Sequence, residues 1–423
     1  MKKRLLVFLA LGLIVGYFGV NYTKEFLQAR AYAESDRIAA EVDPDIVASN
    51  TRFAFDVFNV LCEEDPDANV FISPLSLSAA LTMTYSGAAG STEEAMRNTL
   101  GYGEMNTEQI EDGFKNLLSS LGNVDREVTL SIANSVWMRD SYEASVFEDY
   151  KETLSDCYDS EFFARPFDQG TVNELNGWVA ENTEHKIEKI IDSIESDHVM
   201  FLVNAIYFKA NWTHQFKESN TQERDFYLCD RTIVSVDTMS QDDDFRYYRG
   251  GNFAAARFPY GREQVAMYVF LPDPGDSLDQ FIVRLSHEAL DKYINEMRVE
   301  KGLKVRFPRF RFEYGVKRMN DALIKLGMGV AFDRYNANFS KIADVRPENL
   351  YIDFVDHKAV IEVDEKGTVA AAATNVGISV TSAPPPPKQF YVNRPFFFVI
   401  RDDRTSTILF MGKITNPLLE SGS

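Results

Sequence analysis

The chain is poor in the side chains on which catalysis and metal binding draw. Its five histidines, His185, His198, His214, His287 and His357, are scattered without ligand spacing. HExxH, a Walker loop, GxGxxG after a strand and a GxSxG elbow are all absent. A Ser/His/Asp triad needs no local spacing, but nothing points to one. The three cysteines, Cys62, Cys157 and Cys229, form no CxxC pair, and an odd number cannot be wholly paired within the chain. Buried free thiols are expected, with one disulfide as the alternative. No metal, cofactor or enzymatic activity is therefore expected. Basic charge is also short: 44 Lys and Arg against 64 Asp and Glu leave a net charge of −20. That disfavours nucleic acid as a partner, because nonspecific binding needs basic surface to displace counterions.

Apolar residues, by contrast, make up 45% of the chain and aromatics 13%, enough for a large core. A length of 423 residues would suit two or three domains. Yet there is no internal repeat and no linker within 50–417, so one mixed α+β domain is the simplest reading.

The N-terminus carries Lys2-Lys3-Arg4 and then an apolar run from Leu5 to Val20. This fits a secretory signal, and is nearly long enough for an uncleaved membrane anchor. Residues 1–25 are read as one or the other, 26–45 as a linker with some helical character, 46–417 as the domain and 418–423 as a tail. The positive-inside bias puts the rest of the chain outside the cytoplasm in both cases, secreted or anchored through residues 5–20.

Ser73 followed by Pro74 predicts a helix start, with the helix running to about Tyr85. Ser91-Thr92-Glu93-Glu94 resembles a capping box, and Gly101 a helix end. The glycines of Gly87-Ala-Ala-Gly90 read as an interhelical turn. Thr129–Met138 alternates as a strand, Val172–Ile191 reads as an amphipathic helix, and Met200–Phe208 as a buried strand. Further strands are expected at 232–239, 253–259, 264–271, 303–313, 360–363, 396–400 and 407–412, with a helix from Arg318 to Leu326.

The segment Glu365–Pro387 carries two sets of instructions. Small residues, two glycines and four prolines suit an exposed loop. Yet Thr368, Ala370, Ala372, Thr374, Val376, Ile378 and Val380 alternate with positions that turn polar or small. A period of two with one apolar face is the pattern of a half-buried strand. An ordinary strand with a proline-rich exit would look similar.

Several motifs together resemble the serpins over about 46–417. They are Asn69-Val-Phe-Ile-Ser-Pro-Leu-Ser76, Asn176-Gly-Trp178 with Thr183 and Lys186-Ile187, and Val203-Asn-Ala-Ile-Tyr-Phe-Lys209 with Trp212. Asp356-His357 through Gly367-Thr368, Asn393-Arg-Pro-Phe396 and Phe410-Met-Gly-Lys413 complete the set. The resemblance implies an α+β fold of three β-sheets and eight or nine helices, with an exposed reactive-centre loop near the C-terminus. It implies a monomeric suicide-substrate inhibitor of serine, and by extension cysteine, endopeptidases, which the N-terminal segment would export. The cut loop would insert as a strand of the main sheet. A non-inhibitory serpin that binds or carries a ligand is the alternative.

Residue by residue, the resemblance implies a loop hinge at Glu365, Gly367, Thr368, Ala370, Ala371, Ala372 and Ala373. Thr368 and the alanines are small, as in inhibitory members; Val369 departs from the common Glu. Arg309 and Trp212 would flank the hinge, Arg309 as the partner of Glu365. Ser73, Ser76, Asn204 and His357 would form a polar cluster beneath the parting strands. The bond attacked would join Thr381 to Ser382, with Val380 and Ala383 as neighbouring candidates. A small uncharged residue there suits an elastase-like or subtilisin-like protease and not a trypsin-like one.

Overall fold

The structure, a computed structural model, describes residues 32–420 apart from 123, 126, 197, 347–348 and 368–386. A short helix, α1 (residues 32–39), opens it, followed by α2 (Pro44–Glu64). Part of the expected linker is thus docked: Arg404 Nη1 donates to Ser35 Oγ at 2.6 Å, and Tyr32 Oη donates to Asp125 at 3.3 Å. Then come α3 (Pro74–Ser86), α4 (Gly90–Leu100), α5 (Thr107–Leu121), α6 (Glu148–Tyr158) and α7 (Gln169–Asn182). The later helices are α8 (Leu278–Arg284), α9 (His287–Glu296) and the single turn α10 (Asn320–Leu323), followed by an irregular turn through Met328.

The helix ends follow from local chemistry. The Ser73 hydroxyl accepts the Ser76 N–H and Pro74 occupies the first turn, so α3 starts where expected. Three expectations need correction. The helix expected from Arg318 to Leu326 is only the single turn Asn320–Leu323, because Arg318 still pairs with Asp356 as part of a strand. The Ser91–Glu94 box does not cap α4, which begins one residue earlier at Gly90, behind Ala89 and without a side-chain cap. The helix expected over 172–191 ends at Asn182, because Glu184 and His185 adopt positive φ. Ile187, Ile190 and Ile191 continue the helical spacing by being buried in an irregular connector.

The strands, in chain order, are β1 (Val70–Ile72), β2 (Val128–Arg139), β3 (Ser160–Arg165), β4 (Met200–Ala210), β5 (Gln222–Tyr227), β6 (Ile233–Arg249) and β7 (Phe253–Tyr260). They continue as β8 (Val265–Pro272), β9 (Arg298–Pro308), β10 (Phe310–Arg318), β11 (Asp356–Val363), β12 (Gln389–Tyr391), β13 (Phe396–Asp402) and β14 (Thr407–Ile414). A nine-stranded sheet runs β1-β14-β13-β8-β7-β6-β9-β12, with β5 on β6. In it β7, β8, β13 and β14 are buried along their whole length, which is why their sequences are near-continuous apolar runs. A three-stranded sheet runs β3-β2-β4, and β10 pairs with β11. The run expected as one strand over 303–313 is two. The chain breaks at Arg309, whose N–H bonds to Asp237 O at 2.8 Å, so β9 serves the large sheet and β10 the two-stranded one.

All three cysteines are free, but Cys62 alone is buried, Cys157 is half-buried and Cys229 exposed, which corrects the expectation of buried thiols. Among the described residues no helix is long and apolar enough to cross a membrane, and no cluster of His, Cys, Asp and Glu could hold a metal. Residues 5–20 lie outside the described residues.

Candidate functional site

The three-stranded and two-stranded sheets face each other across a seam between β4 and β11. No backbone hydrogen bond joins these two strands among the described residues. Both strands end at the same pole. There Gly367, just past β11, is bridged antiparallel to Asn211, just past β4, and also to Asp364, the residue that follows β11. Gly367 thus occupies the first position of a strand that would lie between β4 and β11, antiparallel to both.

The local sequence makes this turn. Asp364 and Gly367 exchange both backbone hydrogen bonds, at 3.1 and 3.3 Å, closing a hairpin on Glu365 and Lys366. The Asp364 carboxylate accepts the N–H of Lys366 at 2.9 Å and of Gly367 at 3.2 Å. Burial pushes that carboxyl above its ordinary range, opposed by the bond from Lys366. Gly367 has φ +124°, and a Cβ there would lie 2.4 Å from Trp212 N and 2.5 Å from Ala210 O. Only glycine fits that conformation and that approach. Trp212 is buried, stacks on Tyr260 at 4.4 Å, and donates Nε1–H to Asp364 O at 2.9 Å; its N–H bonds to Lys366 O at 2.9 Å.

Glu365 is buried at 6% exposure, but its partner is not Arg309. Its Oε1 accepts the Thr221 hydroxyl at 2.6 Å, and its carbonyl accepts the Phe216 N–H at 2.8 Å. Arg309 is exposed. Strand alternation explains the difference: Phe310, paired with Val363, points into the core, which turns Arg309 outward. Thr221 carried no sequence signal, because it reaches Glu365 only through the tertiary fold.

Beneath the middle of the seam lies a polar hub at the start of α3. The Ser73 N–H bonds to His357 Nε2 on β11 at 3.2 Å, and the Ser73 hydroxyl donates to Leu409 O at 2.8 Å. Ser76 Oγ donates to Asn204 Oδ1 on β4, and Asn204 Nδ2 donates to Asn134 Oδ1 on β2. Asn134 in turn donates to Tyr158 O at 2.8 Å. One helix start therefore grips both sides of the seam. His357 is 5% exposed, and burial pulls its imidazole down to about 4. It is neutral, with the Nε2 lone pair turned to Ser73. The sequence did not single out Asn134.

The opposite face of the seam is covered by α7 and its connector. Val172, Leu175, Val179, Ile187, Ile190 and Ile191 bury against Trp137, Phe201 and Val203 and reach Val360 of β11. Asn176 staples the connector: its Oδ1 accepts the Ile190 and Ile191 N–H groups at 2.8 and 3.2 Å. Lys186 pairs with Glu362 at 3.7 Å, and Lys358 Nζ donates to Lys189 O at 3.3 Å, so the connector straps the two sheets together.

Of the residues named from sequence, Glu365, Gly367 and Trp212 meet at the upper end of the seam, and Ser73, Ser76, Asn204 and His357 meet below it. Thr368, Ala370, Ala371, Ala372, Ala373, Thr381 and Ser382 lie outside the described residues.

Two sheets that exchange no ladder hydrogen bonds among the described residues, with a glycine turn at one end of their seam and a two-sided polar hub beneath it, define the site. The family model for serpins, described as serine protease inhibitors, matches residues 48–417, and the chain belongs to that family. An uncharacterised serpin-like protein of Methanosarcina acetivorans is 32% identical over 99% of this chain and 100% of its own length. Among solved structures, the thermophilic serpin tengpin in its native state matches with a TM-score of 0.79 at 30% identity, covering 89% of this chain and 95% of tengpin. Human thyroxine-binding globulin complexed with thyroxine matches with a TM-score of 0.79 at 27% identity, covering 88% and 98%.

Proposed function

We propose that this chain is a suicide-substrate inhibitor of serine endopeptidases, and of cysteine endopeptidases by the same acyl chemistry. The protease nucleophile attacks the carbonyl of Thr381. The bond to Ser382 breaks, the new amine of Ser382 leaves with a proton, and the chain ending at Thr381 stays esterified to the enzyme. The segment behind Gly367 then zips into the seam, carrying the protease toward the far pole before water can release it. The observation that supports this reading is Gly367, bridged antiparallel to Asn211 on one side and to Asp364 on the other, at the point where an inserted strand would begin. Its small successors, Thr368 and Ala370 to Ala373, suit passage between packed strands. The small residues around the bond point to an elastase-like or subtilisin-like target, and Lys2–Val20, as a signal peptide or an uncleaved anchor, to action outside the cytoplasm; the chain acts as a monomer.

Incubation of the chain with an elastase, a subtilisin and a trypsin, read by denaturing gel and intact mass, tests this. An SDS-stable complex with release of a peptide beginning at Ser382 is expected with one of the first two. Cleavage without a complex would refute inhibition. It would favour the carrier reading, to which the likeness to thyroxine-binding globulin lends support.

A further inference from the structure

We infer that His198, Asp353 and the phenylalanines beside them form a latch that holds the seam shut at the pole opposite Gly367. His198 lies just before β4, and Asp353 and Phe354 just before β11, so the cluster spans the two sheets where no backbone bond does. His198 Nδ1 accepts the Glu195 N–H at 3.1 Å, which leaves the ring proton on Nε2. That proton points at Asp353 Oδ2, 2.7 Å away across the seam. The imidazole, at 13% side-chain exposure, has Phe201 of β4 and Phe354 edge-on, each with centroids 5.3 Å away. The two phenylalanines meet each other at 5.2 Å.

Each half of the latch is anchored from outside. Arg139, at the end of β2, donates to the carbonyls of Glu195, Ser196 and His198, and its guanidinium lies 5.1 Å from the Phe167 ring, which stacks on Phe201. On the other side, Arg318 at the end of β10 lies 4.6 Å over Phe354 and pairs with Asp356 at 2.5 Å. The latch therefore draws on the ends of β2, β4, β10 and β11 together.

Its position sets its role. A strand continuing from Gly367 at about 3.3 Å per residue needs about 13 residues to come level with His198. The latch opposes the last part of any strand insertion and leaves the hinge untouched. It is a property of the intact chain, and stands or falls apart from the inhibitory reading.

Amide hydrogen exchange on the full chain tests it, with Asp353→Ala, His198→Ala, Phe354→Ala and their pairwise combinations. Exchange of residues 199–203 and 354–358 should quicken about tenfold in each single variant, while residues 208–216 stay within about twofold. The His198→Ala/Asp353→Ala double variant should be no faster than the singles, because both remove one bond. His198→Gln, which keeps one acceptor and one donor, should recover part of the protection. Unchanged exchange at both strand starts in Asp353→Ala would overturn the latch. So would a rise shared equally by residues 208–216, which marks general destabilisation. So would additive effects in the double variant.

Discussion

His357 makes the stability of this protein depend on acid in a defined window. Its imidazole titrates near pH 6.5 in an unfolded chain, and burial lowers it to about 4 in the fold. Between those values the unfolded chain takes a proton that the folded one refuses. Stability is therefore complete above about pH 6.5, falls as the pH drops, and levels off below about pH 4. The difference of about two and a half units is worth about 3 kcal/mol at about 1.4 kcal/mol per unit. The loss is localised. A protonated Nε2 would face the Ser73 N–H, donor against donor, and cut the tie between α3 and β11. Urea unfolding of the wild type and of His357→Gln at pH 7.5, 6, 5 and 4 isolates the effect. Gln can accept from Ser73 but does not titrate, so all other ionisations cancel in the difference. Relative to His357→Gln, the wild type should lose about 3 kcal/mol across the series. A difference that stays flat with pH would refute the reasoning.

Gly367→Ala should break the bridge to Asn211, since its Cβ would lie 2.4 Å from backbone; a loss of about 2 kcal/mol or more in unfolding by urea is expected. Thr221→Val should cost about 1–3 kcal/mol by stripping a buried carboxylate of its donor, whereas Arg309→Ala should stay within about 0.5 kcal/mol in the same assay; the reverse order would restore Arg309 as the partner of Glu365. With a thiol reagent at neutral pH, Cys229 should label first and Cys62 last, because Cys229 is exposed while burial pushes the Cys62 thiol up to about 12.

The sequence made the β-rich core legible because β7, β8, β13 and β14 are buried on both faces, so their apolar runs needed no partner to be recognised. The hub was legible through Ser73-Pro74, whose cap chemistry is local, and through the serpin motifs around Asn204 and His357. Periodicity failed where tertiary burial imitates a helix: Ile187, Ile190 and Ile191 keep helical spacing while lying in a connector strapped over the sheets. It failed again at 303–313, where one alternating run feeds two sheets and Arg309 turns out to solvent. Thr221, Asn134 and the pairing of His198 with Asp353 had no sequence signal, since each is a contact between distant segments. The lack of ladder hydrogen bonds between β4 and β11 among the described residues is likewise a relation between distant segments, which no single segment encodes.

The central claim is that the seam accepts the chain's own strand. About 13 residues gaining roughly one net hydrogen bond each, at about 1 kcal/mol, would add on the order of 10 kcal/mol once the loop is free to enter. The most direct test is the melting temperature before and after the loop is cut between Val380 and Ala383. A marked rise on cleavage is predicted; a cut form that melts at or below the temperature of the intact protein would contradict the account.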